Sequence, residues 1–155
     1  MEAKNAIRND SGNAGRPFKM KLENNWRQKT LENLEKDYWG EPDYESDLVK
    51  RCYELRKIPL DNFTTENLRI MIGQQIGLDY LIPLALDVLS VDLFAEGDLF
   101  EGDLLKNVLA VNTKFWDNNK RYWTILDKLI KGRLNEINAR KFDTANFYRS
   151  IHRYE

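Results

Sequence analysis

The sequence predicts an all-α fold, a single compact domain of six or seven helices, and three observations predict it. From Thr30 onward apolar residues recur at three- and four-residue spacing, the period of an amphipathic helix. No stretch alternates apolar and polar residues with the Val, Ile and Thr enrichment of a strand. The chain has 155 residues, 42% hydrophobic and 12% aromatic, which is one domain's length and too apolar for disorder. A domain of that size buries roughly 70% of the surface its unfolded chain exposes.

Residues 1–25 read as a flexible tail, because Asn9–Gly15 is turn and linker chemistry with no apolar periodicity beside it. Met20 is a candidate internal start, which would make the first nineteen residues a leader or an artefact. The helical domain is expected over 26–155. Its first helix follows Thr30, an N-cap type, with Leu31, Leu34 and Tyr38 at helical spacing. Gly40 and Pro42 stop it. A second helix runs from about Ser46 to Lys57, with Leu48, Cys52 and Leu55 on one stripe, and Ile58-Pro59 ends it.

Thr64 caps a third helix, with Phe63 placed to staple onto Leu68. That helix carries Leu68, Met71, Ile72 and Gln75 as far as Gly77, a left-handed terminator. Pro83 is best tolerated in a first turn, which sets the start of the fourth helix near Tyr80. Leu81, Ile82, Leu84, Ala85, Leu86, Val88 and Leu89 leave it almost no polar face, so it is the central, buried helix. Phe94–Asp103 is a glycine-punctuated acidic loop that leads into a helix carrying Leu104, Leu105, Val108 and Leu109. After a short turn with Phe115 and Trp116, one long amphipathic helix is expected from Lys120 to Ile137. Its stripe is Trp123, Leu126, Ile130, Leu134 and Ile137. The basic, aromatic end forms a last helix from Asp143 or Thr144.

Charge divides the chain more sharply than its net of −1 suggests. Residues 1–34 carry seven basic and four acidic residues; residues 35–103 carry six and sixteen; residues 104–155 carry eleven and five. A middle segment with a net of −10 attracts a cationic partner over about 8 Å at physiological salt. The alternative reading is that these carboxylates are solvated or cap helices. No apolar run approaches about 18 residues and no secretion signal opens the chain, so it reads as cytoplasmic and membrane-free.

Groups for catalysis are few. The one histidine, His152, lies near the chain end, and the one cysteine, Cys52, sits on an apolar helix stripe as an inert thiol would. Gly73 and Gly77, like Gly97 and Gly102, miss the spacing of a phosphate loop. Asp98 and Asp103 flank Gly102 without the ligand ladder of a calcium loop. No catalytic, cofactor or metal residue is assigned. Gln74 and Gln75 read as caps or helix bridges, and Trp39 and Trp116 as core anchors.

Three motifs in order carry a family resemblance: Leu34–Pro42 (LEKDYWGEP) with Leu60–Thr64 (LDNFT), Ile72–Leu86 (IGQQIGLDYLIPLAL), and Ala95–Leu105 (AEGDLFEGDLL). Across about residues 30–110 the sequence resembles the immunity proteins of bacterial contact-dependent growth inhibition systems. The resemblance implies a cytoplasmic antidote that binds the C-terminal toxin domain delivered by a sibling cell. Such toxins are frequently nucleases, whose basic sites would suit the acidic segment. The motif glycines, prolines and apolar residues read as fold devices, which leaves binding to exposed charge and aromatic tips beside them. Glu41, Asp43 and Glu45 around Tyr44, and Glu96, Asp98, Glu101 and Asp103 around Phe100, are the expected toxin-binding residues, with carboxylates ringing an apolar centre. Direct nucleic-acid contact is not expected. Two other readings remain: a nucleic-acid-binding module using the basic C-terminal region, and a carboxylate-dependent enzyme.

Overall fold

A computed structural model describes residues 24–43 and 46–149. It is helical throughout, and the only strand-like pairing among the described residues is an isolated antiparallel bridge between Glu96 and Glu101. The chain divides into two compact units, one ending at Phe63 and the other beginning at Thr64.

In the first unit, a 3-10 turn over Trp26–Gln28 precedes α1 (Leu31–Glu35). Thr30 caps α1 as expected, its side chain accepting from the Asn33 amide at 3.1 Å. The helix stops short of Tyr38, because Lys36 turns left-handed with φ 53°. The chain then curls around Arg56, which has no exposed surface. Its guanidinium donates to the Glu35 carboxylate at 2.6 Å and to the Asp37 carbonyl at 2.6 Å, and lies 4.3 Å from the centre of the Trp39 ring. The first motif is therefore a clamp on a buried cation, and Trp39 anchors it with Tyr53 edge-on at 5.0 Å. Ser46 caps α2 (Asp47–Leu55) by accepting from the Val49 amide. Cys52 and Leu55 are buried, whereas Leu48, placed on the same stripe by its spacing, is exposed in the first turn. A 3-10 turn over Leu60–Asn62 closes the unit, tied by the Leu60 amide to the Lys29 carbonyl.

The second unit opens with α3 (Thr65–Gly73), started by a reciprocal capping box between Thr64 and Asn67. The helix ends at Gly73, four residues before the expected stop. Gly77 is left-handed, φ 66°, but it launches α4 (Leu78–Val91) rather than ending α3. Helix α4 begins earlier than Pro83 suggested, and Pro83 sits inside it, in the second turn. One ladder hydrogen bond is forgone there, a loss offset by the burial of Leu81, Ile82, Leu84, Ala85, Leu86 and Leu89. The α4 helix packs on α3, on α5 (Asp103–Leu109) and on α7 (Lys120–Gly132), the central place its composition predicted.

Short α6 (Thr113–Asp117), capped by Asn112, holds fully buried Trp116. The long helix expected from Lys120 to Ile137 is two: α7 ends at Gly132 and α8 (Leu134–Ala139) restarts after Arg133. The break turns Leu134 outward, to 47% exposure, while Ile137 stays buried. With α6 formed where a turn was expected and α8 separated from α7, the described residues hold nine α-helices beside the six or seven expected. The last, α9 (Ala145–Tyr148), places Phe147 between Trp116, edge-on at 5.1 Å, and Trp123, stacked at 5.3 Å. Ile151, His152 and Tyr154 lie outside the described residues. Among those described, no helix is long and apolar enough to cross a membrane.

Candidate functional site

The acidic loop between α4 and α5 is built from behind by one carboxylate. Asp103, the first residue of α5, is 2% exposed. Its Oδ1 accepts from the Gly97 amide at 2.6 Å, and its Oδ2 accepts from Leu99 at 2.9 Å and Phe100 at 3.3 Å. Arg69 of α3 stands 3.7 Å away. Arg69 also makes a two-pronged pair with Glu66, which accepts from the Asp98 amide at 2.8 Å. Two helices thus fix four consecutive or near-consecutive loop amides through two carboxylates.

The electrostatics follow from this geometry. Burial alone would raise the Asp103 carboxyl, but three backbone N–H groups and Arg69 outweigh it and hold it below the usual carboxylate range. The hydrogen bond from Arg69, against some desolvation, and then the Asp98 amide lower Glu66 in the same way. Both are therefore ionised at neutral pH. The loop's glycines lie in close contact with the side chains around them. A Cβ at Gly97 would meet the Glu66 carboxylate at 2.6 Å, and one at Gly102, whose φ is 93°, would meet the Phe142 ring at 2.6 Å.

With its amides held inward, the loop turns its other side chains out. Leu99 is 64% exposed and Phe100 42%, and Glu96, Asp98 and Glu101 are exposed around them. Glu101 pairs with Arg140 at 2.8 Å, and the Lys106 ammonium lies over the Phe100 ring at 5.6 Å. Of the five residues singled out in this loop, four line its outer face. Asp103 is the exception, since its oxygens are consumed in holding the loop and it offers no surface. In the first unit Glu41 and Asp43 are exposed, with Glu41 3.7 Å from Lys57. Tyr44 and Glu45 lie outside the described residues.

Spacing along the chain had not singled out Glu66 or Arg69, which reach the loop from about thirty residues away, nor Phe142 and Arg140 beside it. The Glu66–Arg69 separation of three was the available signal, since such pairs meet on a helix face. Gln75, left-handed at φ 59°, uses its side chain as a brace: it accepts from the Asn112 amide and side chain and donates to the Ala110 carbonyl. Cys52 is buried, which pushes its thiol away from the reactive thiolate. Among the described residues no group of three or more His, Cys, Asp or Glu is placed to hold a metal ion.

A family model of CDI immunity proteins matches residues 33–126, more than half of the chain. The match takes in the Arg56 clamp, the buried α4 and the whole acidic loop, and ends within α7. No curated protein and no solved structure matches the chain.

Proposed function

The chain belongs to the CDI immunity proteins, and on that premise we propose that it is a cytoplasmic antidote that binds and neutralises the C-terminal toxin domain of a contact-dependent growth inhibition system. The proposed toxin is a nuclease, and the proposed interface is the outer face of the acidic loop: Glu96, Asp98, Phe100 and Glu101, with Leu99 at the tip. Glu41 and Asp43, with Tyr44 and Glu45 between them and α2, form a second acidic element of the proposal.

The observation that supports this reading best is an exposed apolar tip on a loop that is rigid for a stated reason. A flexible loop would lose conformational entropy on binding, whereas one whose amides are already fixed by Asp103 and Glu66 loses little. Carboxylates around Leu99 and Phe100 suit a basic partner surface such as a nucleic-acid site. They raise the association rate by steering and can exclude water from the apolar contact. No catalytic step is proposed.

The test is a double charge reversal, Glu96→Lys with Asp98→Lys, which leaves the Glu101–Arg140 pair intact. The binding probe is the C-terminal domain of the polypeptide encoded immediately upstream, its own activity disabled. The expected result is a normal helical spectrum and melt, with association slowed by about tenfold or more. A folded variant that binds as the native chain does removes the loop from the interface. Binding of RNA or DNA by the free chain, weakening steeply with salt, would instead favour the nucleic-acid-binding reading, which uses the basic C-terminal region, where Lys114, Arg121, Lys128 and Lys141 are among the exposed cations.

A further inference from the structure

Phe94 and Glu101 stand near the two ends of the acidic loop, and one side chain from outside the loop touches both. The Arg140 guanidinium lies 3.9 Å from the centre of the Phe94 ring and donates from Nη1 to Glu101 Oε1 at 2.8 Å. Phe94 is a firm base for it: the ring is buried and packs on Phe142 at 5.7 Å, and the Phe94 amide donates to Asp92 at 3.1 Å. The backbone under Arg140 is held as well, since its amide closes α8 by donating to the Glu136 carbonyl at 2.9 Å. An ion pair between two exposed side chains is usually weak, because both must be immobilised to form it. Here the contact with a buried ring already places the guanidinium, so that cost falls mainly on Glu101.

Glu101 is also where the loop closes on itself, through the antiparallel bridge to Glu96, and it directly follows the exposed tip of Leu99 and Phe100. Asp103 and Glu66 hold the loop amides from inside, and Arg140 fastens the returning strand from outside. We propose that Arg140 is a positioning residue for toxin binding, acting through Glu101 to keep the loop tip in its binding shape, an inference that rests on the functional reading above. Glu101 then enters the interface as half of a neutral pair. Glu96 and Asp98, the loop's other exposed carboxylates, carry its charge toward a basic partner. Arg140 lies beyond the family match, which ends at residue 126, so a family element is held in shape by a part of the chain that the match does not reach.

Arg140 carries the same charge as the basic surface proposed for the partner. By charge alone, removing it should speed association and leave dissociation unchanged or slower. Removing a positioning residue acts the other way on the complex: the freed loop must be ordered on binding, and dissociation quickens. The test measures both rates for Arg140→Gln, Glu101→Gln and the double variant against the same upstream-encoded domain, with thermal melts and hydrogen exchange of each free chain. Arg140→Gln should dissociate about three- to fivefold faster, with association not slowed and a cooperative melt kept. Glu101→Gln should dissociate faster by a similar factor, and the double variant no faster than either, because the two act as one unit. Exchange at the Leu99 and Phe100 amides of the free Arg140→Gln chain should quicken too. Dissociation that is unchanged or slower for Arg140→Gln overturns the proposal. Single effects that multiply in the double variant also overturn it, and place Glu101 against the toxin independently of Arg140. If Glu96→Lys with Asp98→Lys weakens binding while Arg140→Gln does not, this inference falls and the loop reading stands. If the native chain does not bind the probe, both fall.

Discussion

A guanidinium with no exposed surface needs its charge answered, and around Arg56 the Glu35 carboxylate and the Asp37 carbonyl take the two terminal nitrogens while the Trp39 ring lies beside it, leaving only the buried Nε without a hydrogen bond. Removing one member leaves the others uncompensated, and breaking a buried pair typically costs about 3–5 kcal/mol. Glu35→Ala should lose that much in urea unfolding. Glu35→Leu combined with Arg56→Met should recover most of it, because an apolar pair needs no compensation. A loss below about 1 kcal/mol for the single change would show the clamp to be solvated. Asp103 and Glu66 act at the same scale with a different signature. Their folded-state carboxyls are lowered, so the stabilisation they contribute is complete above the unfolded values of about 4 and is lost as pH falls through the lowered ones. Hydrogen exchange at the Gly97, Leu99 and Phe100 amides should therefore keep its protection factors from neutral pH to about 5 and lose them only in stronger acid. Protection lost near pH 6 would contradict the assignment.

Helix α4 is where an element's composition decides its place. Leu86 is buried in its middle, and Leu86→Ala should destabilise by about 2–5 kcal/mol in thermal or urea unfolding. On the proposed function, toxin affinity of the folded fraction should be unchanged, since Leu86 lies in the interior. Elements with local causes were legible in the sequence. Thr30, Ser46 and Thr64 cap the helices they precede, and the run from Leu81 to Leu89 could only be an interior helix. Where the cause was tertiary, spacing misled. The apolar period runs unbroken from Trp123 to Ile137, so nothing in it announces the break at Gly132. Pro83 argued for a later start to α4, but packing on three neighbouring helices outweighs one missing hydrogen bond.

For the molecule as a whole, the helical class and the family were legible before any coordinates, because both rest on periodicity and on motifs contiguous in the chain. The outer face of the candidate site was legible too: Glu96, Asp98, Phe100 and Glu101 are out where composition put them. What lay behind that face was not. Asp103 looked like its neighbours until the Gly97, Leu99 and Phe100 amides were seen converging on it, and Glu66 and Arg69 arrive from a different helix. Phe142 is brought against Gly102 across forty residues, a proximity that spacing does not encode.

Gly97 and Gly102 sit against neighbouring side chains and Asp103 is consumed in holding the loop, while Glu96, Asp98 and Leu99 turn outward. The loop thereby separates a fixed chassis from a rewritable surface. On the proposed function, successive changes at the outward positions would retarget the protein from one opponent to another without renegotiating its fold. In an arms race between neighbouring cells, that arrangement would let such an antidote keep pace one residue at a time.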